Sequence, residues 1–267
     1  MTKPDALDLF VFHRNNDLNA ACLEGGAKGI VIDFETRGKS VRQQGFDTQI
    51  NEHNWDDLRA VKQDSKAYVV CRINGYNADT ETEVLQALDF KADEILIPMV
   101  RELSEVSAIL KLVKNRARVS AMIETMEAVN IAPLLDQLPL ARIYVGLNDL
   151  RICRGSQSIF TAVADGTVES IRHMIKHTPF GFGGLTIPGY GNPLPVELFL
   201  HEMTRLECEF TFLRRSFFKD TAGKKPQEEI PRIVSAALSS MHRDEASVKL
   251  DKQILTDKLA QISDRPE

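Results

Sequence analysis

The chain has 267 residues, 43% of them hydrophobic, with 33 Lys and Arg against 38 Asp and Glu for a net charge of −5. No run of about 18 uncharged apolar residues suggests a membrane span, and the basic residues do not gather on one segment as a nucleic-acid surface requires. The opening MTKPDALDLF lacks the basic-then-apolar layout of a secretion signal, and the four scattered cysteines (Cys22, Cys71, Cys153, Cys208) show no CxxC pair and no metal-ligand spacing, so they read as reduced thiols of a cytoplasmic protein.

In chain order the strand-like runs are LDLFVF (7–12), GIVIDF (29–34), AYVVCRI (67–73), DEILIP (93–98), RVSAMIE (118–124), ARIYVG (141–146), FGGLTI (182–187) and EFTFLR (209–214). Helix-like segments lie between them. Leu103–Lys114 puts Leu103, Val106, Ile109, Leu110 and Val113 on one face. Residues 163–177 read as the sixth helix, 195–206 as the seventh and 227–241 as the one that closes the ring, with 245–262 left over as an extra C-terminal helix. Strands alternating with helices predict right-handed βαβ units and a parallel sheet. Eight such units, in a length close to the roughly 250 residues typical of the class, predict an α/β fold: one (β/α)8 TIM barrel over 1–267. The extra helix would pack on a neighbouring subunit or on its own barrel.

In such a barrel the chemistry sits where strands end. The polar residues there are His13 and Arg14 after the first strand, Asp33, Glu35 and Arg37 around the second, and Arg72 and Asn74 at the third. Glu124 follows the fifth, Asn148 and Asp149 the sixth, and Arg214, Arg215 and Ser216 the eighth; the fourth ends in Pro98 and Met99, which offer shape but no charge. Glu124 and Asp149 leave adjacent strands on one rim. Two carboxylates with several waters suit Mg²⁺ or Mn²⁺, and a 2-oxo acid chelating that ion gains a Lewis acid for its enolate. Arg72 would add a second positive group there, as a planar fork that stays charged. Arg214 and Arg215 suit a distal carboxylate or phosphate, although strand alternation turns at most one of them to the mouth. Asn74 is a further substrate-binding candidate.

Each residue also has a structural reading. Glu124 could be an acid at a helix N-terminus, Asp149 could close a turn, and Arg72 could neutralise Asp33 or Glu35. Together these readings need three coincidences on one face, which favours a site. Two motifs fail: GKS at Gly38–Ser40 has Asp33 where a phosphate loop needs glycine, and the glycines of GFGGLTIPGYG (181–191) read as a loop at the barrel mouth.

These residues resemble the HpcH/HpaI aldolase and citrate lyase β-subunit family of the phosphoenolpyruvate/pyruvate barrels, over about Leu9 to Leu150. GIVIDFE is similar to the family's second strand, CRINGYNADT to its RVNG segment, and ADEILIPMVRELSEV to the strand and helix that follow. AMIETMEAVN is similar to the metal-binding Glu segment and IYVGLNDL to the metal-binding Asp segment. The resemblance implies a divalent-metal-dependent carbon–carbon lyase acting through the enolate of a pyruvate- or oxaloacetate-like 2-oxo acid. Glu124 and Asp149 would bind Mg²⁺ or Mn²⁺, Arg72 would stabilise the enolate, and Glu35 would sit beside the metal waters. An acyl-CoA lyase of the citryl- or malyl-CoA type is the variant within this class, and a barrel without turnover is the rival outside it. A homo-oligomer, trimer or hexamer, is implied as well. Where the aldolase branch carries a proton-transferring histidine and the citrate lyase branch an aspartate, this chain has Thr36. His13 is then the candidate base, with Glu35 second. After Leu150 the similarity fades, and no later CoA-lyase signature appears in FGGLTIPGYGN or FLRRSFFKD.

Overall fold

Alternation along each strand run decides which way its side chains face. Phe10, Val31, Val70, Leu96, Met122 and Tyr144 form one buried cluster with Phe210 and Phe212. Their neighbours Leu9, Val11, Ile30, Ile32, Val69 and Cys71 fall in a second, larger cluster shared with the helices. The first cluster is made of strand residues alone, as the inside of a barrel is, and the second joins the sheet to its coat of helices. Each such side chain contributes about 1.5–3 kcal/mol on burial.

A computed structural model of the chain describes residues 7–37, 54–64, 67–156, 158–214 and 216–263. Gly38–Ser40, His53 and Arg215 lie outside these described residues. The strands are β1 (Asp8–Val11), β2 (Gly29–Asp33), β3 (Tyr68–Arg72), β4 (Glu94–Ile97), β5 (Arg118–Ile123), β6 (Ile143–Val145), β7 (Phe180–Phe182), β8 (Gly184–Leu185) and β9 (Phe210–Leu213). All pair in parallel, in the order β7-β6-β5-β4-β3-β2-β1-β9-β8. Only Gly183 separates the two ends of that order, so the covalent chain closes the ring. β7 and β8 share one barrel position, which makes eight positions in all.

The seventh strand was expected over 182–187 as one piece. It begins two residues earlier and breaks at Gly183, whose φ of 61° lies in the left-handed region that favours glycine. Part of GFGGLTIPGYG is therefore barrel wall, and only its later glycines belong to a loop.

The helices are α1 (Asn16–Glu24), α2 (Trp55–Asp64), α3 (Thr80–Asp89), α4 (Leu103–Val113), α5 (Met126–Asn130), α6 (Ala132–Leu135), α7 (Leu147–Arg154), α8 (Thr161–Ala164), α9 (Thr167–Met174), α10 (Val196–Arg205), α11 (Ser216–Asp220), α12 (Pro226–Met241) and α13 (Glu245–Ser263). The single helix expected over 163–177 is two, because Gly166 at φ 80° interrupts it. The extra helix α13 covers its own barrel. It lies against α10 and α8, burying Leu255 and Leu259. His201 stands 3.2 Å from Asp251, and Glu169 is shared by Arg205 and Lys252. Among the described residues no helix is long and apolar enough to cross a membrane.

At the N-terminal end of the barrel, beneath the apolar filling, Glu94 is fully buried. Its carboxylate accepts from the Tyr68 hydroxyl at 2.7 Å and the Ser120 hydroxyl at 2.6 Å, and lies 3.1 Å from an Arg142 nitrogen. The Arg142 guanidinium in turn stacks 4.5 Å from the Phe10 ring centre. Burial first, and then Glu94, raises the Tyr68 pKa above its ordinary value, so the hydroxyl stays a donor.

Candidate active site

Two strand ends meet directly at the other end of the barrel, since Asp33 and Arg72 are register partners. Arg72 grips Asp33 as a fork: Nε donates to Oδ1 at 2.8 Å and Nη2 to Oδ2 at 2.6 Å. Its third nitrogen, Nη1, lies 3.4 Å from the Glu35 carboxylate. Asp33 also accepts the Glu35 backbone N–H at 3.1 Å, which fixes the turn that brings Glu35 inward. Burial opposes the charge on Arg72, but Asp33 and then Glu35 more than offset it and hold its pKa above the ordinary value.

Glu124 follows β5 and is 1% exposed. It is not the cap of α5: Thr125 is, its hydroxyl accepting from Ala128 N–H at 3.0 Å. One Glu124 oxygen, Oε1, accepts the Met99 N–H at 2.8 Å. Met99 presents that N–H from a left-handed backbone, φ 52°, uncommon for a residue with a side chain. The other oxygen, Oε2, lies over Gly146, where an added Cβ would come within 2.2 Å of it. Gly146 opens α7, and Asp149 sits in the first turn of that helix, 6% exposed, where the helix dipole favours an acid.

Asp33, Glu35 and Glu124 thus lie about the Arg72 guanidinium, and Asp149 is near enough to Glu124 for its charge to act on it; all four acids are buried. Glu124 carries the strain. Burial first, then the charges of Asp149 and Glu35, push its pKa from 4.5 up to about 8, against the pull of Arg72 and the Met99 N–H. A hard divalent cation would relieve that excess, and the hard oxygen donors of Glu124 and Asp149, over a glycine that leaves room, fit Mg²⁺ or Mn²⁺. Among the described residues no group of three or more His, Cys, Asp or Glu side chains forms a metal cage. A cation here would take two carboxylates and complete its shell with water.

The other expected residues are placed differently. His13 is on the β1 exit, its ring 4.1 Å from that of Phe218, and its Nδ1 accepts the Asn15 N–H at 2.9 Å. The neutral ring therefore carries its proton on Nε2. In this arrangement the Nδ1 lone pair is engaged with the chain. Asn74 is bonded on both sides within the chain. Its Oδ1 accepts from Thr36 and Arg37 N–H, each at 2.9 Å, and its Nδ2 donates to Glu83 at 2.9 Å. It braces the β2 exit loop that carries Glu35. Thr36 is exposed. Arg214 ends β9 as a half-buried side chain, and Arg215 lies outside the described residues.

Sequence reasoning missed Met99 and Gly146. A backbone N–H leaves no mark in the residue type, whereas the glycine of IYVGLNDL was in view as part of the motif.

No family model matches the chain, and no curated protein does. Solved structures do. A citrate lyase from Burkholderia xenovorans LB400 is 14% identical with a TM-score of 0.60, covering 100% of this chain and 96% of that one. The fold is that of the aldolase and citrate lyase barrels. A HpcH/HpaI aldolase/citrate lyase family protein from Burkholderia cenocepacia J2315 is 11% identical at a TM-score of 0.60, over 82% of this chain and 93% of that one. The citrate synthase SbnG is 18% identical at 0.56, over 92% and 95%.

Proposed function

We propose that the protein is a carbon–carbon lyase that works at this mouth on a pyruvate- or oxaloacetate-like 2-oxo acid, with Mg²⁺ or Mn²⁺ on Glu124 and Asp149. The observation that carries the reading is the carboxyl of Glu124, held between the Met99 N–H and Gly146 and pushed up to about 8 by burial and then by the charges of Asp149 and Glu35. The barrel shared with aldolase and citrate lyase structures supports the same reaction class. A bound cation would supply the Lewis acid that lowers the barrier to an enolate, a contribution of several kcal/mol. Arg72 keeps Nη1 toward the site while Asp33 holds its other edge, so its charge is fixed in place before substrate arrives. Glu35, turned inward beside Arg72, is the acid placed to move a proton. His13, with Nδ1 accepting the Asn15 N–H, has Nε2 as a hydrogen-bond donor.

The test is proton exchange. Metal-free protein and pyruvate in D₂O, followed by the methyl signal in NMR, should lose that signal only after Mg²⁺ or Mn²⁺ is added, and not in Glu124→Gln. Exchange that ignores the metal, or that survives in Glu124→Gln, refutes the assignment.

A second reading is a barrel without turnover, favoured by the Arg72–Asp33 fork, which also serves as a structural pair, and by Thr36 at the place of the family's proton carrier. It predicts no exchange with pyruvate, oxaloacetate analogues or acyl-CoA thioesters. The thioesters also test the acyl-CoA variant.

A further inference from the structure

Two barrel positions round from the strand that leads to Asp149, β9 leads to Arg214, one of the two arginines that the sequence offers for a distal carboxylate or phosphate. The ladder reaches Arg214, whose N–H donates to Leu185 O at 2.9 Å. Phe210 and Phe212 face the barrel interior, so Arg214 continues the inward row. Its side chain runs along glycine backbone. A Cβ added at Gly184 would stand 3.1 Å from the Arg214 Cβ, and one added at Gly191 would stand 3.0 Å from Nη2. Gly191 itself has φ 120°.

Among the described residues the buried Nε and Nη2 of Arg214 have no hydrogen-bond partner, and neither has the Ser216 hydroxyl two residues on. Nε and Nη2 form one edge of the guanidinium, the edge that grips a carboxylate or phosphate with two parallel N–H donors. Leaving buried donors of a charged group unmet is unfavourable. Three arginines more deeply buried are supplied, Arg72 by Asp33, Arg142 by Glu94, and Arg172 by the Leu206 and Ile175 carbonyls, and Arg154, which leaves one buried nitrogen unmet, still holds Asp165. Asp220 acts on Arg214 only through its charge, and its carboxylate takes the Thr186 hydroxyl. Burial lowers the Arg214 pKa from its ordinary value, with Asp220 acting the other way, yet an arginine stays charged in a protein.

We infer that Arg214 and Ser216, with the backbone of Gly184 and Gly191 against the Arg214 side chain, seat an oxyanion: the carboxylate or phosphate at the end of the substrate remote from its 2-oxo acid. The loops after the seventh and eighth strands are where (β/α)8 barrels frequently hold phosphate. The seat itself stands on Arg214 and Ser216, and only the identity of the substrate's other end rests on the lyase reading.

Calorimetric titration of the metal-free protein with inorganic phosphate, and separately with succinate, at matched ionic strength in chloride, tests the seat without turnover. At least one of the two should bind saturably with one site. Arg214→Gln should weaken it by about tenfold or more, and Ser216→Ala, a milder change, by about threefold. Glu124→Gln should leave it unchanged. Tighter phosphate identifies a phosphorylated substrate and tighter succinate a dicarboxylic one. No saturable binding to the wild-type protein overturns the inference, and so does binding that Ser216→Ala leaves intact or that Glu124→Gln abolishes. Should proton exchange fail while this binding holds, the lyase reading falls and the seat remains.

Discussion

At the N-terminal end of the barrel, Tyr68, Ser120 and Arg142 supply three donors to the one carboxylate of Glu94. At the C-terminal end the Arg72 guanidinium holds Asp33 and Glu35, while Glu124 is buried beside the like charges of Asp149 and Glu35. Both ends bury charge under the same apolar filling, but Glu94 meets donors and Glu124 meets other acids. A matched buried network rigidifies a core. An excess of one sign is unfavourable for the empty protein, and at a barrel mouth it is the mark of a place that expects a counter-charge.

Equal substitutions at the two ends should therefore have opposite signs. Glu94→Gln leaves Arg142 buried without its counter-ion and should lower stability by about 3–5 kcal/mol, read from chemical denaturation, with metal affinity unchanged. Glu124→Gln removes an ill-placed charge. It should raise the stability of the metal-free protein by about 1 kcal/mol or more at pH 9, and by less at pH 6, while abolishing metal binding. If both changes destabilise alike, the contrast between the ends is wrong.

The pH dependence sharpens this. A carboxyl whose pKa rises from 4.5 unfolded to about 8 folded contributes stability that is complete below 4.5 and lost as pH climbs through about 8. The metal-free melting temperature should fall between pH 6 and pH 9, and either saturating Mg²⁺ or Glu124→Gln should flatten that fall. A curve indifferent to both would remove Glu124 from the account. The smallest change in chemistry is Gly146→Ala, one methyl group set against the Glu124 oxygen. It should weaken metal binding by about 10–100-fold, as displacing a ligand's support does, with a stability loss of about 1–3 kcal/mol from overpacking.

Much of the barrel was legible in the sequence, because a strand with one face toward the barrel's filling and the other toward helices must be apolar along most of its length. GIVID and YVVCR read that way without help. Glu124 and Asp149 were legible for the converse reason, as acids where apolar runs stop. Glu94 and Arg142 were not, since an acid or a base at the start of a strand has the composition of a solvated end; only closure of the ring buries them together. The bracing part of Asn74 was not legible, because an amide looks the same whether it meets a ligand or braces the loop behind one. The break at Gly183 was hidden in a run of glycines whose separate tasks appear only once β6 and β9 stand on either side of it. Met99's part lies wholly in its backbone.

The pairing of β1 with β9 joins strands from the two ends of the chain, Asp8 opposite Phe210. Contacts so distant in sequence are the slowest to form, because the loop they close must lose its entropy before anything is gained. His13 rests on Phe218 across that same junction. β1 and β9 therefore meet late in the closure of the ring, and Arg214, the residue after β9, takes its place only with that seam.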